Sequence, residues 1–229
     1  MNKHDSGAAP RMATITAVPE TQSFGRAHYA LLALFAIVLL WSGIRPHGYF
    51  TWFLEVCPAL VALVVLAVTW RRFQFTTLVY TLICLHAIIL MVGGHYTYAR
   101  VPLFDWISAW LHLGRNHFDR LGHFAQGFVP AMIAREVFIR RGIVKKGGWT
   151  VFLVICLCMA VSAWYELFEY GVAVATGSAA DDFLGSQGDP WDTQNDMLMA
   201  FIGSSTAMLT MRAWHDRAMR QLAEPSPGG

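Results

Sequence analysis

"WFLEVCPALVALVVLAVTW", residues 52–70, runs nineteen positions with one charged side chain, Glu55. About 20 mainly apolar residues are what a helix needs to cross the hydrocarbon core of a bilayer. This stretch is apolar all round, so no face is left for water. Two further runs share that character, 27–44 ("AHYALLALFAIVLLWSGI") and 75–94 ("FTTLVYTLICLHAIILMVGG"), and a fourth, 148–175, is long enough to span with tilt. The whole chain agrees with them. Of its 229 residues 55% are hydrophobic and 14% charged, with mean hydropathy +0.43. A soluble domain carries roughly a quarter charged residues, so a bilayer is the natural solvent for this one.

Two weaker runs remain. Residues 118–139, "FDRLGHFAQGFVPAMIAREVFI", and 190–212, "PWDTQNDMLMAFIGSSTAMLTMR", are each polar at the start and apolar after it. Counting them gives six spans. The expected fold is therefore all-α, a polytopic membrane protein with six transmembrane helices within 26–215. Residues 1–25 read as a disordered cytoplasmic tail and 216–229 as a second cytoplasmic tail. The first apolar run leads into "WSGIRP", which is no small-residue cleavage site, so the first helix is expected to stay in the protein.

Basic residues orient the bundle, because cytoplasmic loops carry the excess of Lys and Arg. With the N-terminus inside, thirteen of the seventeen basic residues fall on cytoplasmic segments, and Arg45, Arg100, Arg115 and Arg120 are left outside. Both termini are then cytoplasmic. The net charge of +2 gives no reason to expect nucleic acid as a partner; membrane lipid is the expected one. Cys57, Cys84, Cys156 and Cys158 lie in or beside apolar runs with neither CxxC spacing nor a disulfide pattern, and read as packing residues.

The polar residues of the weaker spans carry the functional question. Asp119 and His123 are four apart and share a helix face, Glu166 and Glu169 are three apart, and Asp192 and Asp196 are four apart. In the six-span frame His123, Glu169 and Asp196 each lie roughly 8–9 Å inside the outer end of their helix. Ionisable groups at such depth usually face the bundle interior and mark a site. The candidate acid/base or ligand cluster is Asp119, His123, Glu166, Glu169 and Asp196. Its candidate metal ligands are His123, Glu166, Glu169 and Asp196, with His95, His117 and Asp192 in reserve. Mixed His and carboxylate ligands suit Zn²⁺ or Mn²⁺, so a divalent cation is the cofactor to test for. Arg120, one residue off the stripe, is expected either to pair with the acids of the cluster, Asp119 first, or to turn toward headgroups by snorkelling. Glu136 reads as a structural partner of Arg135 and Arg140, and His86 as a core histidine; Glu55 is ambiguous. Gly122, Gly127, Gly171 and Gly203 read as points of close helix approach, and the loop "FLGSQGDPWDTQND" with Trp191 as a cap over the cluster.

At these residues the chain resembles a known family. "HYTYA" at 95–99 and "GDPWDTQNDM" at 188–197 resemble the pattern of the YjdF family of predicted bacterial inner-membrane proteins, over about 30–215. More distantly, "FDRLGHF", "YELFEY" and "DTQNDMLMAFIGS" are similar to elements of VanZ-like membrane proteins, proteins linked to glycopeptide-antibiotic tolerance. That likeness carries over to Asp119, His123, Glu169 and Asp196. It departs at Tyr170 and Val172, near where VanZ-like proteins have Gln, and at Ala200, where they have Asn. The resemblance implies an inner-membrane location and supplies no reaction. Three functions stay open: a membrane enzyme acting on a lipid or lipid-linked envelope substrate, a small transporter or binding protein, and an accessory subunit using the cluster for helix registry. Six spans without a detectable repeat argue mildly against a lone transporter protomer, an objection that a homo-oligomer would relax.

Overall fold

The computed structural model describes residues 24–177 and 181–224, and among these the regular structure is helical throughout. Nine α-helices follow one another: α1 (Arg26–Ser42), α2 (Tyr49–Thr69), α3 (Thr77–Tyr96), α4 (Pro102–Leu111), α5 (Phe118–Arg140), α6 (Gly148–Thr176), α7 (Asp181–Leu184), α8 (Asp192–Thr210) and α9 (Arg212–Ala223). A single 3₁₀ turn, Tyr98–Arg100, precedes α4. Of the long helices, α2, α3 and α6 are by themselves long and apolar enough to cross a membrane, and α1 is a shorter apolar helix. Val61, Val64, Val65 and Val68 stand more than half exposed along α2, an outward face that only lipid suits.

Helix α5 lies at the centre, packed on α8, α6 and α3, while α1 and α2 both rest on α3. Twelve of its twenty-three residues are buried, which is why a helix of such low hydropathy can sit among apolar ones: its neighbours, not lipid, surround its polar groups. Glycines set the closest approach. A Cβ placed on Gly127 would lie 1.9 Å from the Ala200 carbonyl oxygen, and one on Gly203 would lie 2.1 Å from that of Phe124. The backbones of α5 and α8 therefore touch, as small residues allow in membrane bundles. Gly122 belongs to this set for another reason given below. Gly171 does not, since a Cβ there would meet open space.

One end of the bundle is basic. There Glu136, fully buried near the end of α5, accepts from the Thr76 backbone amide (2.9 Å) and hydroxyl (2.8 Å) at the start of α3. It also pairs with Arg140 (2.6 Å) and with His215 Nε2 of α9 (2.9 Å). Arg135 is not its partner; that guanidinium reaches His215 Nδ1 (3.1 Å) and Asp216 (2.7 Å), and Lys146 reaches Asp216 at 3.0 Å. The expected tail from 216 onward thus begins as helix. His215 and Met219 bury one side of α9, and the ion pairs above tie it down. The expected tail at 1–25 lies outside the described residues except for Phe24 and Gly25, and so do 225–229.

The other end carries what the hydropathy reading passed over between 97 and 117. Helix α4 starts with Pro102 at its first turn and ends at His112 in the left-handed conformation. It presents Leu103, Trp106 and Trp110 outward. Its Ser108 hydroxyl donates to the Arg115 carbonyl, and Asn116 donates to the Val101 carbonyl (3.0 Å) and to Asp105. A polar-backed, aromatic-faced helix of this kind suits the membrane–water boundary.

Candidate functional site

The start of α5 brings Asp119 and His123 onto the face that meets α8 and α6. Asp119, His123 and Asp196 are all buried, and one ligand atom from each lies within 4.8 Å of the others. His123 Nε2 stands 3.4 Å from Asp119 Oδ1 and 3.8 Å from Asp196 Oδ1. Its Nδ1 is 3.1 Å from Gln126 Oε1, one turn along the helix, and 3.7 Å from Glu166 Oε1 on α6. An amide oxygen accepts, so Nδ1 carries a hydrogen toward Gln126, while Nε2 faces two carboxylate oxygens, to which it donates when the ring is protonated and beside which it offers a lone pair when it is not. With the ring neutral the arrangement is repulsive, so a proton or a cation belongs between them. Two carboxylate oxygens in the cluster, Asp119 Oδ2 and Glu166 Oε1, are buried without a hydrogen bond.

Of the two alternatives for Arg120 the structure takes pairing over snorkelling: its guanidinium turns inward and bonds Asp196 directly, Asp192 at 2.8 Å and Asp189 at 3.0 Å, with Asp119 at 3.8 Å. Arg115 meets Asp189 and Asp192 at 3.1 Å each. Desolvated carboxylates so close together give an arginine more than a headgroup would, and its planar fork serves several at once. Asp189, in the loop outside the helices, is held below the ordinary carboxylate value first by the Trp191 backbone N–H (2.9 Å), then by Asn195 and the two arginines. Asp192 is accordingly part of an ion-pair layer above the triad.

The loop before α8 is pinned over this layer. Gln187, at φ 50°, accepts from the Asn116 amide (3.0 Å) and donates to the Asn116 carbonyl (2.9 Å), and Gly185 passes beside Asp119. Trp191 does not cap the cluster; it is 65% exposed and faces outward. Glu169 is not one of the three ligand atoms that lie together, but it is buried with its charge facing His123, Glu166 and Asp119, on the wall of a cavity of about 350 Å³ shared with Asp189, Asp192 and Thr193. His95 is a packing residue, its ring tilted against that of Trp41 (centroids 4.5 Å apart) with Nδ1 3.0 Å from the Ser42 carbonyl. His117 is the residue before α5 and stays partly exposed.

Residues from outside the expected set complete the site. Glu55 of α2 is buried with the phenols of Tyr98 and Tyr165 against its carboxylate and Asp119 and His123 in its surroundings. The Tyr98 ring lies between α3 and α5 in a slot that only glycine leaves open: a Cβ on Gly93 would come within 2.1 Å of it, and one on Gly122 within 2.8 Å. The lone acid of the opening stretch and the second tyrosine of "HYTYA" were the available signals for Glu55 and Tyr98. Arg115 and Asn116 had none, because they lie between helices.

With the geometry set out, comparison with known proteins places the chain. The family described as "Predicted membrane protein (DUF2238)" matches residues 27–217. The chain belongs to this family. It is 49% identical over 185 residues to "Inner membrane protein YjdF" of Escherichia coli (strain K12), covering 81% of this chain and 88% of that one. No solved structure matches it. The matched region runs from α1 through α8 into the first half of α9, and the protein is a multi-pass inner-membrane protein.

Proposed function

We propose that α1, α2, α3, α5, α6 and α8 cross the inner membrane with both termini cytoplasmic, and that the Asp119/His123/Asp196 cluster is an outward-facing site. It binds a divalent cation and acts on a lipid or lipid-linked cell-envelope substrate. The orientation follows from the basic residues, thirteen of seventeen on the terminal side. The carrying observation for the site is the triad with its spacing. Two ligands about 2.1 Å from one tetrahedral ion stand about 3.4 Å apart, and the His123 Nε2 distances to the two aspartates are 3.4 and 3.8 Å. Gln126 on Nδ1 plays the part that an outer-shell acceptor plays for a metal-bound histidine, fixing tautomer and ring orientation.

A cation held there would lower the pKa of a bound water and polarise an ester or phosphoester oxygen. Glu166, 3.7 Å from His123 with one oxygen unbonded, is placed to take a proton from such a water. Arg120 tethers Asp196 and offsets its charge. Metal analysis of detergent-purified protein tests the reading. One equivalent of Zn²⁺ or Mn²⁺ is expected, lost in His123→Ala and Asp119→Asn and kept in Glu169→Gln. A metal-free wild type after growth in supplemented medium overturns it. One observation favours a second reading: the Arg120 guanidinium already occupies Asp196, as a built-in cation that a transported cation would displace. Proton or cation uptake into vesicles without bound metal is the result that would select it.

A further inference from the structure

Helices α1 and α2 both rest on α3 but scarcely on each other, and between them, at the basic end, runs a groove of about 400 Å³. Its walls are apolar almost throughout, and its floor is made shallow-sided by Cys84 and Ala87 of α3 and by Ala59 and Ala67 of α2. At its mouth the character changes. Phe24 and His28 at the start of α1 meet Trp70 at the end of α2 with ring centroids 5.0 and 5.2 Å apart, and His28 meets Tyr80 at 5.1 Å. Arg71 lies in the lining there, and no acidic residue lines the groove among the described residues. From Trp70 to Ala59 is eleven residues of helix, about 16 Å, and half of a hydrocarbon core is about 15 Å. The groove is one leaflet deep.

We propose that this groove is a binding site for one acyl chain of an anionic phospholipid of the cytoplasmic leaflet, with the headgroup phosphate at Arg71. The leaflet assignment rests on the orientation proposed above; the groove itself does not. An aromatic rim with one arginine and no acid matches a phosphate at headgroup depth, and the apolar depth below matches a single chain. A protein helix would need a wider bed, and a soluble apolar ligand would gain nothing from the arginine.

Native mass spectrometry of the full chain from nanodiscs of mixed phosphatidylglycerol and phosphatidylethanolamine tests this. The wild type should keep one phospholipid through detergent exchange, favouring phosphatidylglycerol about five-fold, the worth of one basic residue near a membrane surface. Arg71→Gln should remove the preference while keeping the adduct, and Arg72→Gln, outside the lining, should leave both unchanged. Ala67→Phe, at an exposed position on the groove wall, should abolish the adduct without lowering the melting temperature. A wild type with no retained lipid, an adduct that survives Ala67→Phe, or a preference indifferent to Arg71→Gln overturns the proposal. Reporter fusions test the orientation separately, so a failure of one is not mistaken for a failure of the other.

Discussion

Replacing Gly127 by alanine should separate α5 from α8. The new Cβ would sit 1.9 Å from the Ala200 carbonyl oxygen and 2.6 Å from its carbon, where ordinary contact begins at 3.4 Å. The obstruction is backbone, so no side chain can rotate away, and α8 must retreat by about 1.5 Å or tilt. Overpacking costs typically 1–3 kcal/mol, and a backbone clash belongs at the top of that range, about 3 kcal/mol. For a chain of this size each kcal/mol moves the melting temperature by about 2–4 °C, giving a fall of about 6–12 °C. The retreat also carries Asp196 away from His123, from which it is already 3.8 Å distant, so retained metal should fall with it. The assay is heating of detergent-solubilised protein followed by size-exclusion chromatography. Gly171→Ala is the control, because a Cβ there meets nothing and alanine favours a helix by about 0.5–1 kcal/mol. If Gly127→Ala melts within about 2 °C of wild type, the contact between the two backbones is not as close as described.

Reporter fusions after Lys146 and Arg220 should read cytoplasmic and one after Asp182 external; an external signal at Arg220 would invert or break the six-span reading. Glu136→Ala leaves Arg140 and His215 facing a fully buried gap, and breaking a buried pair from one side costs about 3–5 kcal/mol, so an unchanged melt would refute the role given to it. Asp216, outside the spans, is raised by burial but held below the ordinary carboxylate value overall by its bonds to Arg135 and Lys146. Its contribution to the docking of α9 is therefore full above the unfolded value of about 4 and is lost as pH falls through the lower folded value. The difference between wild type and Asp216→Asn in Trp214 fluorescence should stay constant from pH 7 to about 4 and shrink below; a difference that disappears above pH 5 would refute the assignment.

The membrane class was legible because hydropathy is a property of each helix alone. Asp119, His123 and Asp196 could be grouped from spacing and depth, since a charge in lipid must turn inward whatever its neighbours are. The facing of Arg120 could not, because headgroups and buried acids both satisfy an arginine and only the position of α8 decides between them. Glu169 shares a face with Glu166 and its charge faces His123, as spacing and depth suggest, though its carboxylate lines the neighbouring cavity and is not among the three clustered ligand atoms. Gly171 has the composition of a packing glycine and no helix opposite it. Tyr98, Arg115 and Asn116 lie in the segment between α3 and α5, and periodicity says nothing about side chains that act from between helices.

The intimacy of α5 and α8 has a consequence for how the protein is made. Neither is apolar enough to settle in lipid unaided, yet α5 leaves the ribosome first. Some seventy residues separate their ends, about 4–14 s of synthesis at ordinary rates. Through that interval Asp119, His123 and Glu136 have only part of their final surroundings. On the six-span reading proposed above, α5 therefore waits with its polar face incompletely covered until α8 is made. On that reading the order of synthesis matters to this fold: the rate at which the residues between α5 and α8 are made sets how long a polar helix waits for the neighbour that covers it.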